Sequence, residues 1–363
     1  MVRNESTRIE AAARRGRGSI SNASGRFERR TRHCFDDGWD SAGLPLPPLR
    51  TILSEDKSRS IIARNDSPDV GFEQSINPYR GCEHGCVYCF ARPTHAWLGL
   101  SAGLDFESKL FFKPRAAELL ERELRAPGYR CQPIAMGTNT DPYQPAEQRL
   151  EITRALLDVM LRFRQPVSIV TKSQAILRDL DLLSDLAADG LVKVALSVTT
   201  LDRRLARRME PRAATPQRRL AAMRRLAGAG IPTGVMVAPV IPAINDAEIE
   251  AILAAAAEAG ASGAGYVLLR LPLEIKELWR EWLEEHYPER ARKVMGLIRQ
   301  SRGGRDYDAT FGRRMKGQGP YAALIARRFR LARRRLGLER EGPPLDCSKF
   351  APPPRPGDQL TLL

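Results

Sequence analysis

Three of the six cysteines lie within eight residues of one another, in a pattern that suits a metal centre. Cys82, Cys86 and Cys89 are spaced C-x3-C-x2-C, and the short chain between them lets their sulfurs converge on one site. Three thiolates leave a centre one protein ligand short, whereas closed structural sites use four. The pattern therefore predicts a metal centre with an open position for a substrate or cofactor.

Zinc is one alternative for this loop, held by the three thiolates and a histidine, either His84 or His95. Zinc sites usually combine two separate C-x2-C pairs, and no second pair follows the loop in the sequence. A [4Fe–4S] cluster on three thiolates instead leaves one iron open, which can chelate a small molecule and pass it an electron. We therefore favour the cluster.

The composition predicts a cytoplasmic protein with a large positive charge. The chain has 363 residues, and 58 Lys and Arg against 43 Asp and Glu give a net charge of +15. No apolar run reaches the ~18 residues of a membrane span, and the N-terminus lacks the apolar core of a signal peptide, so no membrane partner is expected. Cys34, Cys131 and Cys347 are scattered, unlike a secreted disulfide framework. The surplus charge favours a polyanionic partner such as DNA or RNA.

Apolar runs alternate with helical patterns from Ser75 onward, which is typical of βαβ units with a parallel sheet. Six buried strands are predicted, and the later ones are nearly continuous apolar runs, as strands covered on both faces should be. Their predicted ranges are Gln74–Pro78, Pro133–Gly137, Val167–Thr171, Val192–Val198, Thr233–Ala238 and Gly265–Leu269. Such repeats form an open doubly wound sheet or a barrel, and in both folds the active site lies at the carboxyl ends of the strands.

Three further segments flank this core, which we place at residues 69–272. Residues 1–68 are rich in Arg, Ser, Gly and Pro and predict a disordered, basic arm that is extended near its end. Residues 273–340 predict a helical C-terminal extension, and residues 341–363 form a Pro-rich tail. The arginines of the arm either grip phosphates or belong to a solvated tail.

The C-terminal extension carries most of the positive surplus. Between positions 290 and 341 there are 16 Lys or Arg and 4 Asp or Glu. The last helix has one apolar stripe, and arginines occupy much of its remaining surface. Arg330, Arg333 and Arg334 are candidates for nucleic-acid contact. The alternative is a solvated face on a packed helix.

The cysteine loop, with Tyr88 directly before its last cysteine, resembles the radical S-adenosylmethionine (SAM) superfamily. Within it the chain is similar to the branch of spore photoproduct lyase and related DNA repair photolyases. The resemblance covers about residues 77–271, and the motifs that carry it are NPYRGCEHGCVYCFAR, GTNTDPYQPAE, VTKS, ALSVTT and EPRAATPQRR. It implies an α/β fold, a partial (β/α)6 barrel of the TIM type, with a [4Fe–4S] cluster and SAM as cofactors.

The resemblance also implies roles for individual residues. The three cysteines would each ligate one iron. Around them, Tyr88 would lie near the adenine of SAM, Asn139, Thr140 and Asp141 near its amino group, Lys172 near its carboxylate, and Ser197 near its ribose or methionine part. Glu210 would face the cofactor, although an Arg-rich helix start is the alternative for Glu210, Arg212 and Arg219. Arg80 and His84 flank the cysteines and would tune the cluster or contact substrate.

The implied reaction is reductive cleavage of SAM, with one electron from the cluster and a low-potential donor upstream of it. The 5′-deoxyadenosyl radical would then abstract hydrogen from a substrate, which in this branch is a DNA lesion. Two alternatives are the modification of RNA or protein by the same radical, and a nucleic-acid-binding protein whose cluster is structural or redox-sensing. In spore photoproduct lyase a cysteine after the second strand returns hydrogen, but Thr138 stands there in this chain. The resemblance therefore leaves the substrate and the hydrogen donor open.

Overall fold

A computed structural model describes residues 7–28, 47–339 and 344–354. The strands in these residues are β1 (Ile52–Glu55), β2 (Ile62–Arg64), β3 (Gln74–Ile76), β4 (Tyr79–Arg80), β5 (Lys109–Phe112), β6 (Ile134–Met136), β7 (Val167–Thr171), β8 (Val192–Ser197), β9 (Thr233–Val240) and β10 (Gly263–Leu268). The α-helices are α1 (Asp105–Ser108), α2 (Ala116–Leu124), α3 (Glu147–Leu150), α4 (Ile152–Arg162), α5 (Leu180–Ala188), α6 (Arg203–Met209), α7 (Pro216–Gly228), α8 (Ile249–Glu258), α9 (Ile275–His286), α10 (Pro288–Gln300), α11 (Arg313–Lys316) and α12 (Gly319–Arg335). Short 3-10 helices cover Arg92–Leu98, Gln174–Asp179 and Asp246–Glu248.

Seven strands form the main sheet, in the order β10-β9-β8-β7-β6-β3-β2. The six strands from β3 to β10 in this sheet run parallel, and β2 adds an antiparallel edge. All six predicted strands are present and adjacent, so the predicted partial (β/α)6 barrel is confirmed. A second, three-stranded sheet of β1, β5 and β4 was not predicted.

The strands form where they do because one face of each is covered by helices. In β8 the side chains of Val192, Val194 and Leu196 are buried among the crossover helices, whereas Lys193 and Ala195 alternate with them on the opposite face. The opposite face lines the inside of the barrel. Residues at the carboxyl ends of these strands therefore meet above one cavity.

Residues 147–162 form two helices, α3 and α4, in place of one continuous helix. Glu151 has a positive φ of 49°, which ends α3 and begins α4. The buried carboxylate of Glu147 accepts a hydrogen bond from the Thr153 amide (3.0 Å) and another from the Tyr79 hydroxyl. The break thus supplies a backbone donor to a buried acid, which periodicity alone could not reveal.

The C-terminal extension packs on the side of the barrel and against the cysteine loop. Trp279 and Trp282 of α9 are fully buried and stack at 4.9 Å between ring centroids. They share a core with Val87 and Tyr88 of the loop. In the described part of the chain, no helix is both long and apolar enough to span a membrane.

Residues 7–28 depart from the predicted disordered arm, because they fold against the barrel. Arg17 is only 7% exposed, and the amides of Gly18 and Ser19 each donate to the Glu107 carboxylate at 2.8 Å. Arg8 and Arg14 both pair with Glu285 of α9. These arginines bind acids of the chain itself. We call residues 7–28 the N-terminal strap.

The strap lies so close to the cysteine loop that no side chain fits between them. A Cβ on Gly18 would come within 1.9 Å of the Gly85 carbonyl oxygen. We expect Gly18→Ala to lower the stability by about 1–3 kcal/mol, as overpacking does, and to lower Tm by several degrees. Gly128→Ala is the control, because nothing lies within 4 Å of its Cβ position. Equal melting temperatures for the two variants would show that the strap is not tightly packed.

Two cysteines that are far apart in the sequence are neighbours in the fold. Residues 344–354 return to the amino ends of the strands, where the Ala351 amide donates to the Phe163 carbonyl at 3.1 Å. The Cys347 thiol lies beside the Cys131 thiol, and burial and this neighbour both raise the pKa of Cys131. The scattered cysteines thus include one thiol pair, at the opposite edge of the sheet from the cysteine loop. Cys34 lies outside the described residues.

Candidate functional site

The three clustered cysteines occupy a tight loop after β3 and β4. The Gly85 amide donates to the Cys82 carbonyl (3.3 Å) and the Cys89 amide to the Cys86 carbonyl (3.2 Å), so two successive turns bring the cysteines together. Gly81 begins the loop with a φ of 79°, and a Cβ there would lie 2.8 Å from a backbone oxygen. Glycine is needed at this position for both its conformation and the close packing.

The thiols of Cys82 and Cys86 are buried and that of Cys89 is half-buried, and cations lie near Cys86 and Cys89. Burial raises the pKa of all three thiols, for Cys86 to about 12. Lys172 opposes this rise at Cys86 and Cys89, and Arg92 also opposes it at Cys89. A metal centre deprotonates the thiols that coordinate it. Three clustered thiols on one loop, with positive charge beside two of them, therefore fit an iron–sulfur cluster.

A single zinc ion fits the loop less well. In the described residues, no three His, Cys, Asp or Glu side chains are arranged around one ion position. The thiolates of an iron–sulfur cluster bind different iron atoms, so they need not meet at one point. Both candidate histidines have protein partners, since His84 lies 3.3 Å from Asp141, and His95 Nε2 lies 2.9 Å from the Lys109 carbonyl.

The buried carboxylate of Glu210 supports the cysteine loop from the connection between β8 and β9. Glu210 is 2% exposed and accepts hydrogen bonds from the Tyr88 hydroxyl, from Thr199 (2.6 Å) and from the Arg219 guanidinium. Arg219 is itself buried and donates to the Ser197 carbonyl at 2.9 Å. Glu210 therefore ties the cluster loop to the ends of β8 and α7. Glu210 and Arg219 both belong to this network, and Arg219 also lies in the first turn of α7.

Burial alone would raise the pKa of Glu210. The charges of Arg219 and Lys172, with the hydrogen bonds of Thr199 and Tyr88, instead lower it to about 2. The carboxylate is thus ionised at neutral pH beneath the cluster loop. Its charge holds the guanidinium of Arg219 and fixes the Tyr88 hydroxyl.

Lys172 offers a positive charge next to the cysteines. It follows β7, and its ammonium lies 5.9 Å from the centre of the Tyr88 ring. Among the described residues it has no carboxylate within ion-pair distance. Its charge nevertheless acts to lower the pKa of Cys86, Cys89 and Glu210. An unpaired ammonium here is free to bind a carboxylate brought by a ligand.

Asp141 connects the turn after β6 to the end of β7 and to the cysteine loop. Its carboxylate accepts from the Thr171 hydroxyl and the Lys172 amide, both at 2.7 Å, and it contacts His84. Burial would raise its pKa, but His84 and these donors lower it to about 2. Asp141 has a structural role here, and it sets the position of the Lys172 backbone.

The turn after β6 is organised by Asn77, which sequence reasoning did not single out. The Asn77 side-chain oxygen accepts from the amides of Asn139 (3.1 Å) and Thr140 (3.5 Å). Thr140 is buried and donates its hydroxyl to the Tyr79 carbonyl, whereas Asn139 is exposed. Their predicted contact with the SAM amino group stays a prediction, as does that of the buried Ser197 with the ribose.

Arg92 and Glu107, which the sequence analysis did not single out, also hold the cysteine loop in place. Arg92 is fully buried and donates to the carbonyls of Gly85 (3.1 Å) and Cys86 (2.8 Å) and to the Glu107 carboxylate. Glu107 also receives the strap amides of Gly18 and Ser19. The Arg directly after CVYCFA was a visible signal, but Glu107 had none, because its other partners are backbone groups.

The other predicted residues lie further out. Arg80 pairs with Asp56 at 2.6 Å, and Arg212 pairs with Glu83 at 3.1 Å, so both face acids of the protein. The Thr138 hydroxyl lies 3.5 Å from the Asn77 side-chain oxygen, at the barrel mouth. Cys131 sits at the other end of β6 and cannot replace a hydrogen donor at Thr138.

The three arginines predicted to contact nucleic acid differ in their surroundings on α12. Arg330 is exposed and has no ion pair among the described residues. Arg333 is half-buried and donates to the Leu338 carbonyl at 3.0 Å, and Arg334 is exposed and 3.9 Å from Glu339. Nucleic-acid contact by these residues stays a prediction, which Arg330 fits better than Arg333 does.

Residues 76–256 match the sequence profile of the radical SAM superfamily. An uncharacterized protein of Mycobacterium tuberculosis is 38% identical over 231 residues, which are 63% of this chain and 68% of that protein. An uncharacterized protein of Methanocaldococcus jannaschii is 27% identical over 225 residues, 62% of this chain and 80% of its own length. The chain belongs to the radical SAM superfamily, and its cofactors are therefore a [4Fe–4S] cluster and SAM.

The fold is similar to that of spore photoproduct lyase. The complex of that enzyme with dinucleoside spore photoproduct superposes with a TM-score of 0.57 at 16% identity, over 78% of each chain. A variant of the same enzyme with bound AdoMet and the same ligand gives 0.53, also over 78% of each chain. At this identity the likeness shows the fold, which agrees with the barrel described above.

Proposed function

We propose that this protein is a radical SAM enzyme that abstracts hydrogen from a nucleic acid, with DNA as the substrate class. The observation that carries the enzymatic role is Lys172, whose ammonium has no carboxylate partner among the described residues and lies near the thiols of Cys86 and Cys89. When bound, the cluster and SAM supply a 5′-deoxyadenosyl radical by reductive cleavage of SAM. A low-potential electron donor in the cytoplasm, the compartment we propose, supplies the electron.

The residues of the chain hold and shield these cofactors. Cys82, Cys86 and Cys89 would bind three irons, and Lys172 would bind the carboxylate of SAM. Tyr88 would lie near the adenine, and its hydroxyl is held by Glu210. The open position of the three-cysteine centre and the positive charge of Lys172 both suit the methionine part of SAM.

Water is kept away from the site by two coverings. The strap lies on one side of the cysteine loop, where Ile20 is 2% exposed and packs in the same core as Tyr88. The buried tryptophans of α9 cover another side. A radical is protected by such packing, because a dry cavity limits side reactions.

DNA is the proposed substrate class for two reasons. The fold is shared with a lyase whose structure holds a dinucleoside photoproduct, and the chain carries a net charge of +15 that favours phosphates. The reaction itself differs from that lyase, because Thr138 has no thiol to return hydrogen.

Anaerobic reconstitution tests the proposal. The protein should take up about four irons per chain and, with SAM and dithionite, form 5′-deoxyadenosine. Deuterated oligonucleotides should then transfer deuterium into 5′-deoxyadenosine. A structural or redox-sensing cluster would give iron without 5′-deoxyadenosine, and a protein or RNA substrate would give 5′-deoxyadenosine that takes no deuterium from DNA.

The role of Lys172 predicts a separation of binding from turnover. Lys172→Met should raise the KM for SAM about 10- to 100-fold, the value of a charge-assisted hydrogen bond, while the turnover at saturating SAM falls much less. Steady-state formation of 5′-deoxyadenosine measures both. Lys293→Met, on the exposed surface of α10, is the control. A KM that stays at the wild-type value would remove Lys172 from the SAM site.

A further inference from the structure

A second unpaired cation lies at the mouth of the barrel, on the other side of the cysteine loop. Arg270 follows the end of β10 by two residues, and its guanidinium carbon lies 4.6 Å from the centre of the Phe90 ring. Phe90 comes directly after the cluster ligand Cys89 and is 39% exposed. Arg270 thus lies beside the cysteine loop.

The guanidinium of Arg270 has little to bind within the described residues. Its hydrogen-bond contacts there are with the Met315 sulfur (3.7 Å) and the Tyr307 hydroxyl (3.4 Å), and both are long and therefore weak. Its Nε is buried and has no hydrogen-bond partner, and no carboxylate of the described chain lies within ion-pair distance. A half-buried guanidinium in this state gains most from an added oxyanion, which can satisfy two of its donors at once.

The neighbouring Arg302 shows what a structural arginine looks like in the same region. It is 1% exposed and donates to four backbone carbonyls at 2.7–3.1 Å, those of Leu268, Leu269, Arg313 and Arg314. Burial, with the charge of Arg270 nearby, lowers the pKa of Arg302 to about 10. Arg302 builds the rim. The Nε of Arg302 is also buried without a hydrogen-bond partner in the described residues, so Arg270 differs from Arg302 in its two terminal nitrogens, which bind none of these carbonyls.

The acids near this rim are engaged by other groups. Asp306 pairs with Arg280 (2.5 Å) and Arg299 (2.8 Å). Asp308 accepts from the Thr310 amide at 3.0 Å and stands close to Arg302 and Arg313. Positive charge is therefore in excess at the mouth, and the next cation, Lys316, lies over the Tyr266 ring at 4.2 Å without a carboxylate partner in the described chain.

We propose that Arg270 and Tyr307 bind a phosphate of the substrate strand next to the reacting nucleotide, and that the open part of the Phe90 ring stacks on a base. The inference rests on the proposed function, since it gives that site its substrate-binding group. The planar guanidinium of Arg270 can donate two parallel hydrogen bonds to one phosphate, and the adjacent Tyr307 hydroxyl can donate a third. Base–aromatic stacking accepts every base, so this subsite fixes the position of the strand and not its sequence.

The test measures binding to the reconstituted enzyme without turnover, by fluorescence anisotropy with a labelled single-stranded 12-mer of thymidine. Arg270→Met should raise its Kd about 10-fold and reduce the slope of log Kd against log salt by about 0.7, the share of one phosphate contact on a single strand. Arg270→Lys keeps the charge but loses the planar, two-pronged donor group, so its Kd should lie between those of the wild type and Arg270→Met. Tyr307→Phe should raise Kd about 3-fold.

Two controls separate a phosphate contact from other effects. Arg292→Met removes an exposed arginine of α10 and the same net charge, and its Kd should equal that of the wild type. Thymidine dinucleoside without a phosphate should show no dependence on Arg270. Equal Kd values for Arg270→Met and Arg292→Met would overturn the proposal, and so would a large fall in Tm in Arg270→Met alone, which would make this residue structural.

The outcome is distinguishable from that of the proposed function. Binding that depends on Arg270, in a protein that forms no 5′-deoxyadenosine, would retain the phosphate site and reject the enzyme. Formation of 5′-deoxyadenosine with deuterium from DNA, but with binding independent of Arg270, would retain the enzyme and reject this site.

Discussion

Substitution of Cys86 by alanine should abolish the formation of 5′-deoxyadenosine, with a loss of at least about 100-fold. Loss of an outer partner of a metal ligand already costs about 10- to 100-fold in metal affinity or activity, and Cys86 is a proposed ligand itself. The thiol is 9% exposed and lies beside Cys89 and Lys172 in a loop that offers no spare sulfur. Iron content and the visible absorbance of the cluster should fall together with the activity.

The control for this variant is Cys131→Ala. Cys131 is also a partly buried thiol, but it pairs with Cys347 at the opposite edge of the sheet. Its removal should leave the iron content and the rate of SAM cleavage at wild-type values. If Cys86→Ala kept four irons and full activity, the assignment of the three cysteines as the cluster ligands would be wrong.

Substitution of Glu210 by glutamine should cost about 3–5 kcal/mol of stability, as breaking a buried ion pair does. The amide keeps the shape but leaves Arg219, which is 1% exposed, without its counter-charge. At roughly 2–4 °C per kcal/mol for a chain of this size, Tm should fall by about 10 °C. The Kd for SAM should rise as well, since the Tyr88 hydroxyl loses a charged acceptor. Calorimetry and equilibrium binding measure the two effects.

The pH dependence of this loss has a definite sign. The folded pKa of Glu210, about 2, lies below its ordinary value, so the carboxylate stabilises the fold above pH ~4.3, and this contribution disappears as the pH falls through the folded value. The difference in Tm between wild type and Glu210→Gln should therefore stay constant between pH 6 and 8. A difference that changes across this range would assign the effect to another group.

A surface ion pair provides the matched comparison. Glu250 binds Arg328 bidentately, but its side chain is 47% exposed. Glu250→Gln removes the same charge and should cost under about 1 kcal/mol. If both glutamine variants lowered Tm equally, burial would not be the reason for the large effect at Glu210.

The strands and the metal loop were readable because their signals are local. The strands β7 and β8 are covered by helices and appear as apolar runs, so Val167–Thr171 was predicted with the observed bounds. The cysteine spacing is a property of eight consecutive residues. Helix α6 has a weak local signal, because four of its seven residues are arginines and only the Asp202 side chain, which accepts from the amide of Arg204, marks its start.

The network beneath the loop could not be predicted, because its members are far apart in the sequence. Tyr88 and Glu210 are 122 positions apart, yet they share a hydrogen bond. The strap was predicted as disordered because it has no periodicity. It is ordered through backbone amides that bind Glu107, an interaction that leaves no trace in side-chain patterns.

The sequence alone determined the three-cysteine loop and the buried parallel strands, because both are encoded in short stretches, and its resemblance to the radical SAM superfamily implied the barrel and the cofactors. Tertiary structure decided what surrounds the cysteines. It placed Glu210 and Arg219 next to Tyr88, left Lys172 without a carboxylate partner among the described residues, and brought Arg270 over the ring of Phe90. These properties depend on whether a charge has a partner in space, and a charge meets its partner only when distant segments pack.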